Sequence, residues 1–319
     1  MTEEPRTPRR PGRLGIGVIG AGKVGAVLGA ALRAAEHAIV GVSAVSEASR
    51  ERAELLLPGV PVLDVPEIIE RSELVLLAVP DDALGPLVEG LAKLGAWQPG
   101  QLVAHTSGRY GVGVLAPVRA AGAIPLAIHP AMTFTGLSLD LTRLADCCFG
   151  VTADPAMLPI AQALVVEMGG EPVAVAEGDR VAYHAALAHG SNHLVTIAAQ
   201  AAEVLGRIGI ENPAAVLGPL LRASLENALS AGESALTGPV ARGDVGTVSA
   251  HAGALAELAE DSAGEGGAAD ILAAYRAMAR ATAVRAERRG LFGPDVRARL
   301  EAALEPGRTG PGDAEGEEA

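Results

Sequence analysis

From residue 14 the chain alternates short apolar runs with longer stretches in which apolar side chains recur every three or four positions. The apolar runs span 14–19, 39–45, 74–79, 102–105, 124–128, 148–151 and 172–176, lengths that suit buried strands. An Ala/Leu helix is predicted over 23–35 between the first two, another follows Pro80, and a third spans 156–168. Strand alternating with helix is the order of an α/β domain with a doubly wound parallel sheet, because a parallel neighbour is reached only through a crossover. After Gly178 the strand-like alternation stops. Stretches 179–209, 213–231, 245–260 and 269–290 read as helices separated by Gly, Pro and Asn breaks, with Asp179 a candidate N-cap and Asn212 capping ahead of Pro213. The expected organisation is a disordered Pro/Arg-rich arm over 1–12, a sheet domain over 13–177, an all-α C-terminal domain over 178–305 and a disordered acidic tail over 306–319. The segment 148–168 can be assigned to either domain.

The first strand runs into Gly20-Ala21-Gly22-Lys23-Val24-Gly25, which opens the first helix. In that position the first Gly permits a tight turn, the second lets backbone approach a pyrophosphate, and the third allows helix-on-strand packing. The expected ligand is a dinucleotide; the alternative is a Gly-rich structural turn. An NAD site usually carries an acid at the end of the second strand, whereas an NADP site carries hydroxyls and Arg around the 2′-phosphate. Here the strand holds no acid and leads into Ser46, Glu47, Arg50 and Arg52. Ser46 with Arg50 suits a phosphate, so NADP(H) is favoured over NAD(H); the alternative leaves Arg50 and Arg52 on a solvated helix face with Glu47 on the ribose. Val79 and Pro80 end the third run where a cofactor would cross the sheet edge, with Asp81 and Asp82 able to cap the helix that follows.

Composition narrows the function classes. At about 150 residues per domain, 319 residues and 49% hydrophobic content fit two real cores. Aromatics make up only 2%, and the formal charge is −13, so base stacking and phosphate polyanions are both disfavoured. No nucleic-acid partner is expected. Cys147 and Cys148 are adjacent and lack a third partner, which fits a reducing cytoplasmic compartment and gives no cysteine zinc site. Residues 14–21 are too short and Gly-rich for a signal-peptide core or a membrane span.

Two further strand ends carry His: His105-Thr106-Ser107-Gly108 and His129-Pro130-Ala131-Met132. Both are expected to project polar groups toward a small-molecule substrate, the alternative being structural His bonded to loop carbonyls. The densest polar group lies on the Ala-rich helix, where a turn of about 100° per residue puts His184, His189 and Asn192 on one broad face. That face is read as substrate-binding, with inter-helix or dimer-interface hydrogen bonding as the alternative. His189 and His193 are spaced as metal ligands, but no Glu adjoins them as in H-E-x-x-H, so no metal is expected.

At these residues the chain resembles a family of Rossmann-like oxidoreductases whose C-terminal helical domain is of unknown function. The matching segments are 20–25, 77–84, 105–108, 129–134, 184–194 and the specific stretch 235–248, and the likeness covers about 14–290. More distantly it is similar to ketopantoate reductases, pyrroline-5-carboxylate reductases and the 6-phosphogluconate dehydrogenase-like group. The resemblance implies an NADP-dependent reductase of a 2-oxo acid such as ketopantoate, serving pantothenate biosynthesis, and a homodimer through the helical domain. A cyclic-imine reductase of the pyrroline type and a non-catalytic NADP(H)-sensing dimer are the alternatives. Thr237 and Arg242, beside the Gly238-Pro239 turn, are candidate substrate contacts, Arg242 through a bidentate pair with a carboxylate, the alternative being helix capping and closure of the dimer; Asn192 is the candidate equivalent of the catalytic Asn of the wider group. One departure matters: relatives of the wider group place a Lys four residues before that Asn, where this chain has Ala188. His184 or His189 then becomes the candidate proton donor.

Overall fold

The computed structural model describes residues 13–260 and 269–305; the expected arm over 1–12 and tail over 306–319 lie outside them. The described chain forms two compact units that divide between Gly190 and Ser191.

In the first unit the strands are β1 (Gly15–Ile19), β2 (Ala38–Ser43), β3 (Leu74–Leu77), β4 (Leu102–His105), β5 (Ile124–Pro130), β6 (Cys148–Ala153) and β7 (Glu171–Ala174). They join in one sheet of order β2-β1-β3-β4-β5-β6-β7. The helices are α1 (Lys23–Ala34), α2 (Glu47–Leu56), α3 (Val65–Glu70), α4 (Asp81–Lys93), α5 (Ala116–Ala120), α6 (Leu139–Arg143) and α7 (Leu158–Glu167). Alternation along the strands feeds two cores. Leu74 and Leu76 join Ile16, Val18 and the buried side of α1 on one face, while Val75 and Leu77 pack with Ile68, Ile69, Val88 and Trp97 on the other. Burial on both faces is why these strands read as continuous apolar runs.

One pairing departs from the parallel sheet expected. β5 and β6 run antiparallel, with His129 opposite Gly150. The connection over 131–147 carries only the five-residue α6 and one 3-10 turn (Leu144–Asp146), so the chain returns beside β5 in the opposite direction without a crossover. α7 then crosses back, and β7 is parallel to β6.

The unit boundary also falls beyond the expected break at 177, since α8 (Arg180–Arg207) begins in the sheet unit. Its first residue explains this: the Arg180 side chain is buried and donates to Thr152 Oγ1 at 2.7 Å and to the Ala127 and Gly150 carbonyls at 3.2 and 3.1 Å. The helix is tied to β5 and β6 before it leaves them.

The second unit holds the remainder of α8 with α9 (Pro213–Ala231), α10 (Val245–Glu260), α11 (Ala269–Arg288) and α12 (Pro294–Ala303). Asn212 caps α9 through Ala215 N–H as expected from the Asn-Pro start. Its core is small: Val248, Ala279, Ala283, Leu300 and Leu304 are buried together, whereas α9 buries none of its side chains. No helix among the described residues is long and apolar enough to cross a membrane.

Candidate active site

The order of the strands creates a switch point. From β1 the chain moves outward to β2 and then returns to place β3 on the other side of β1, so the loops after β1 and β3 diverge and leave a crevice at their carboxyl ends. A cavity of about 370 Å³ lies there, walled by Gly22, Lys23 and Val24 after β1, Ala78 to Asp81 after β3, Thr106 to Gly108 after β4, His129 on β5 and His184 on α8.

The glycine loop is built to receive an anion. Gly20 has φ +100°, and a Cβ there would stand 2.5 Å from the Ala78 carbonyl oxygen. Gly22 is the N-cap of α1 with no side chain to satisfy the first amides, no acid occupies the first turn, and the space around its α-carbon is open. Amides left free at a helix start, on the positive end of its dipole, are a ready anion site. The loop is anchored to β2 by Gly20 N–H donating to Ser43 Oγ at 3.0 Å and Ala21 N–H to Ser43 O at 2.9 Å. Ser43 thus stands at the strand end where an acid would favour a ribose diol.

Ser46 and Arg50, read from sequence as phosphate ligands, occupy different positions. The Ser46 hydroxyl caps α2 by accepting from Ser49 N–H at 3.2 Å, and Arg50 is exposed. Arg52 is the arginine that reaches the glycine loop, its Nη1 donating to the Ala21 carbonyl at 3.0 Å. Gly136 makes room for it, because a Cβ there would lie 2.6 Å from Arg52 Nε. Its spacing past the strand end was visible in the sequence, but which Arg would turn inward was not.

The two strand-end histidines separate. His105 is fully buried, with Nδ1 accepting from Ser107 N–H at 3.1 Å and Nε2 donating to the Gly111 carbonyl at 2.8 Å. Both nitrogens are engaged within the turn, and burial pushes its pKa down to about 4. Ser107, also nearly buried, accepts from Tyr110 N–H through Oγ while lining the cavity. His129 is half-buried and lines the cavity directly; burial, followed by the neighbouring His184 and Arg180, also lowers it to about 4. His184 stands edge-on to it, ring centroids 5.9 Å apart. Gly108 lets the two rings close over the turn, since a Cβ there would meet His184 Cδ2 at 2.6 Å and His129 Nε2 at 2.9 Å.

Of the three polar positions grouped on α8, His184 is in the cavity wall; His189 and Asn192 are exposed. Thr237 and Arg242 are exposed in the segment before α10 of the second unit, where Asp244 caps that helix through Thr247 N–H at 3.0 Å. A larger cavity of about 620 Å³ opens at the ends of β6 and β7, but its charges are already satisfied: Arg119 pairs with Asp154 at 2.9 Å, and Glu177 accepts from Val112 and Gly113 N–H.

Residues 1–130 match the Rossmann-like domain family, and residues 147–282 match a domain of unknown function, DUF2520. No curated protein matches the chain. Among solved structures, a Bacteroides fragilis protein provisionally assigned as an NADP oxidoreductase superposes with a TM-score of 0.69 at 22% identity, over 85% of this chain and 98% of that one. A Thermotoga maritima protein gives 0.58 at 21% identity, over 86% and 99%. An imine reductase from Myxococcus stipitatus in complex with NADP+ gives 0.55 at 19% identity, over 90% and 99%. At these identities the likeness is one of fold.

Proposed function

Because this chain joins a Rossmann-like domain to a DUF2520 domain, we propose that it is an NADP(H)-dependent reductase of a small carbonyl compound, with a 2-oxo acid such as ketopantoate as the leading substrate. The observation that carries this reading is the cavity at the switch point, with uncapped α1 amides on one wall and His129 and His184 on another. The open space at Gly22 and the unsatisfied start of α1 fit a dinucleotide pyrophosphate. NADPH supplies hydride when bound; the protein's part is to hold it, orient the acceptor and provide the proton. His184 takes the proton-donor role, since it faces the cavity and imidazole is the commonest general acid. His105 and Ser107 fix the turn beneath the substrate.

A second reading, reduction of a cyclic imine, is favoured by the structural likeness to an imine reductase. A homodimer through the helical unit belongs to the proposal, because it gives the exposed Val216, Leu220 and Leu229 of α9 a partner.

Preference for NADP(H) rests on Ser43 in place of an acid and on Arg52 beside the glycine loop. Titration with NADPH and NADH tests it. Arg52→Ala is expected to weaken NADPH about tenfold, roughly 1.4 kcal/mol, and to leave NADH nearly unchanged, with Arg50→Ala having the smaller effect. Equal losses for both cofactors would overturn the phosphate assignment.

A further inference from the structure

His129 is held on one edge and presented on the other. Its Nδ1 lies 3.0 Å from the Tyr183 hydroxyl, and the two rings meet edge to face at 5.6 Å. The phenol passes over Gly150 on the neighbouring strand, where a Cβ would come within 2.7 Å of the hydroxyl oxygen. With the phenol O–H as donor, Nδ1 is the acceptor of this bond. An imidazole that accepts at Nδ1 carries its proton on Nε2. The Nε2 edge faces the Gly108 turn, in the wall of the cavity.

Most of the charges around this ring act in one direction. Arg180 is buried behind the pair, its guanidinium centre 5.9 Å from the Tyr183 ring, and it bonds to a hydroxyl and two carbonyls, with no carboxylate in ion-pair contact among the described residues. Its Nη1 has no hydrogen-bond partner among the described residues. Arg180, His184 and His105 disfavour a cation at His129, and Asp81 favours one. Near neutral pH the ring is therefore an uncharged N–H donor beside a fixed positive charge, an arrangement that polarises a carbonyl without surrendering its own proton.

We propose that His129, held as the Nε2–H tautomer by Tyr183 as positioning residue, donates to the reacting atom of the substrate, and that this selects an anionic 2-oxo acid over a protonated imine. The inference rests on the reductase reading above. A carbonyl oxygen accepts the Nε2–H bond, and a neighbouring carboxylate is drawn toward the Arg180 charge. A protonated imine instead brings an N–H donor against a donor and a cation against a cation. Hydride bonds to the carbonyl carbon, the π pair moves to oxygen, and that oxygen takes a proton through His184, leaving a 2-hydroxy acid and the oxidised nicotinamide.

Nitrogen-15 spectra of the imidazoles in the full chain test the tautomer without any turnover. His129 is expected as neutral Nε2–H between about pH 5 and 8, and Tyr183→Phe is expected to populate Nδ1–H. An imidazolium at about pH 6, or a dominant Nδ1–H form in the wild type, would overturn the assignment. In NADPH turnover of 2-oxo acids, His129→Leu is expected to lower kcat about 100-fold, and His129→Gln, which keeps an N–H near the Nε2 position, to recover part of it. Tyr183→Phe is expected to lower kcat at least about tenfold with little change in KM. Reduction of cyclic imines but not 2-oxo acids would overturn the substrate class. Absence of all turnover would overturn the reductase reading and the substrate class with it, while the spectra decide the tautomer independently.

Discussion

Acid should weaken the sheet unit through His105, and the loss can be sized. The ring is fully buried, and its pKa falls from 6.5 to about 4. At about 1.4 kcal/mol per unit, the whole gap is worth about 3 kcal/mol. The folded value is depressed, so between the two pKa values the unfolded chain binds a proton that the folded chain refuses. Stability is therefore greatest above 6.5, falls as the pH drops, and levels off below the folded value. From pH 7 to pH 5 this one imidazole removes about 2 kcal/mol. The assay is urea unfolding at those two pH values followed by Trp97, the single tryptophan, which is buried in the sheet unit with Nε1 bonded to the Val88 carbonyl. His105→Gln keeps a donor for Gly111 but does not titrate, so contributions from His129 and the carboxylates cancel in the comparison. The wild type should lose about 2 kcal/mol more than the variant over this range. An equal loss in both would refute the burial argument.

Gly20→Ala should lower thermal stability by about 1–3 kcal/mol, since φ +100° and the Ala78 carbonyl both reject a methyl group there. Gly22→Ala meets open space and should cost less than about 1 kcal/mol, yet weaken NADPH measurably in a fluorescence titration because it covers the loop backbone. Arg180→Ala leaves the Ala127 and Gly150 carbonyls without their buried donor and should destabilise the sheet unit by about 3 kcal/mol in the Trp97 assay. A loss below about 1 kcal/mol would show that the start of α8 is held by something else.

The runs that became β1, β3 and β4 were legible because burial on both faces writes an uninterrupted apolar signature, whereas β7 is mostly exposed and was read from its apolar residues alone. Strand direction was not, because an apolar run carries no polarity and only the short connection over 131–147 turns β6 around. The glycine loop was legible from its spacing. Arg180 was not, because at the start of a helix a charged residue normally faces water, and its burial depends on β5 and β6 offering carbonyls from far away in sequence. His105 and His129 looked equivalent as strand-end histidines. They part because the Ser107–Gly111 turn folds back to occupy both nitrogens of the first, while the second meets Tyr183 from α8 on one edge and faces the cavity on the other. Tyr183 therefore escaped the reading by residue type, although its place one residue before His184 was visible.

Oxidation of NADPH by the purified full chain, followed by the loss of its absorbance with ketopantoate, other 2-oxo acids and cyclic imines in parallel, bears most directly on function. Turnover with a 2-oxo acid, lost in His129→Leu and in Gly20→Ala, is the expected result. NADPH binding with no turnover of any acceptor would contradict a reductase and leave a cofactor-binding protein in its place.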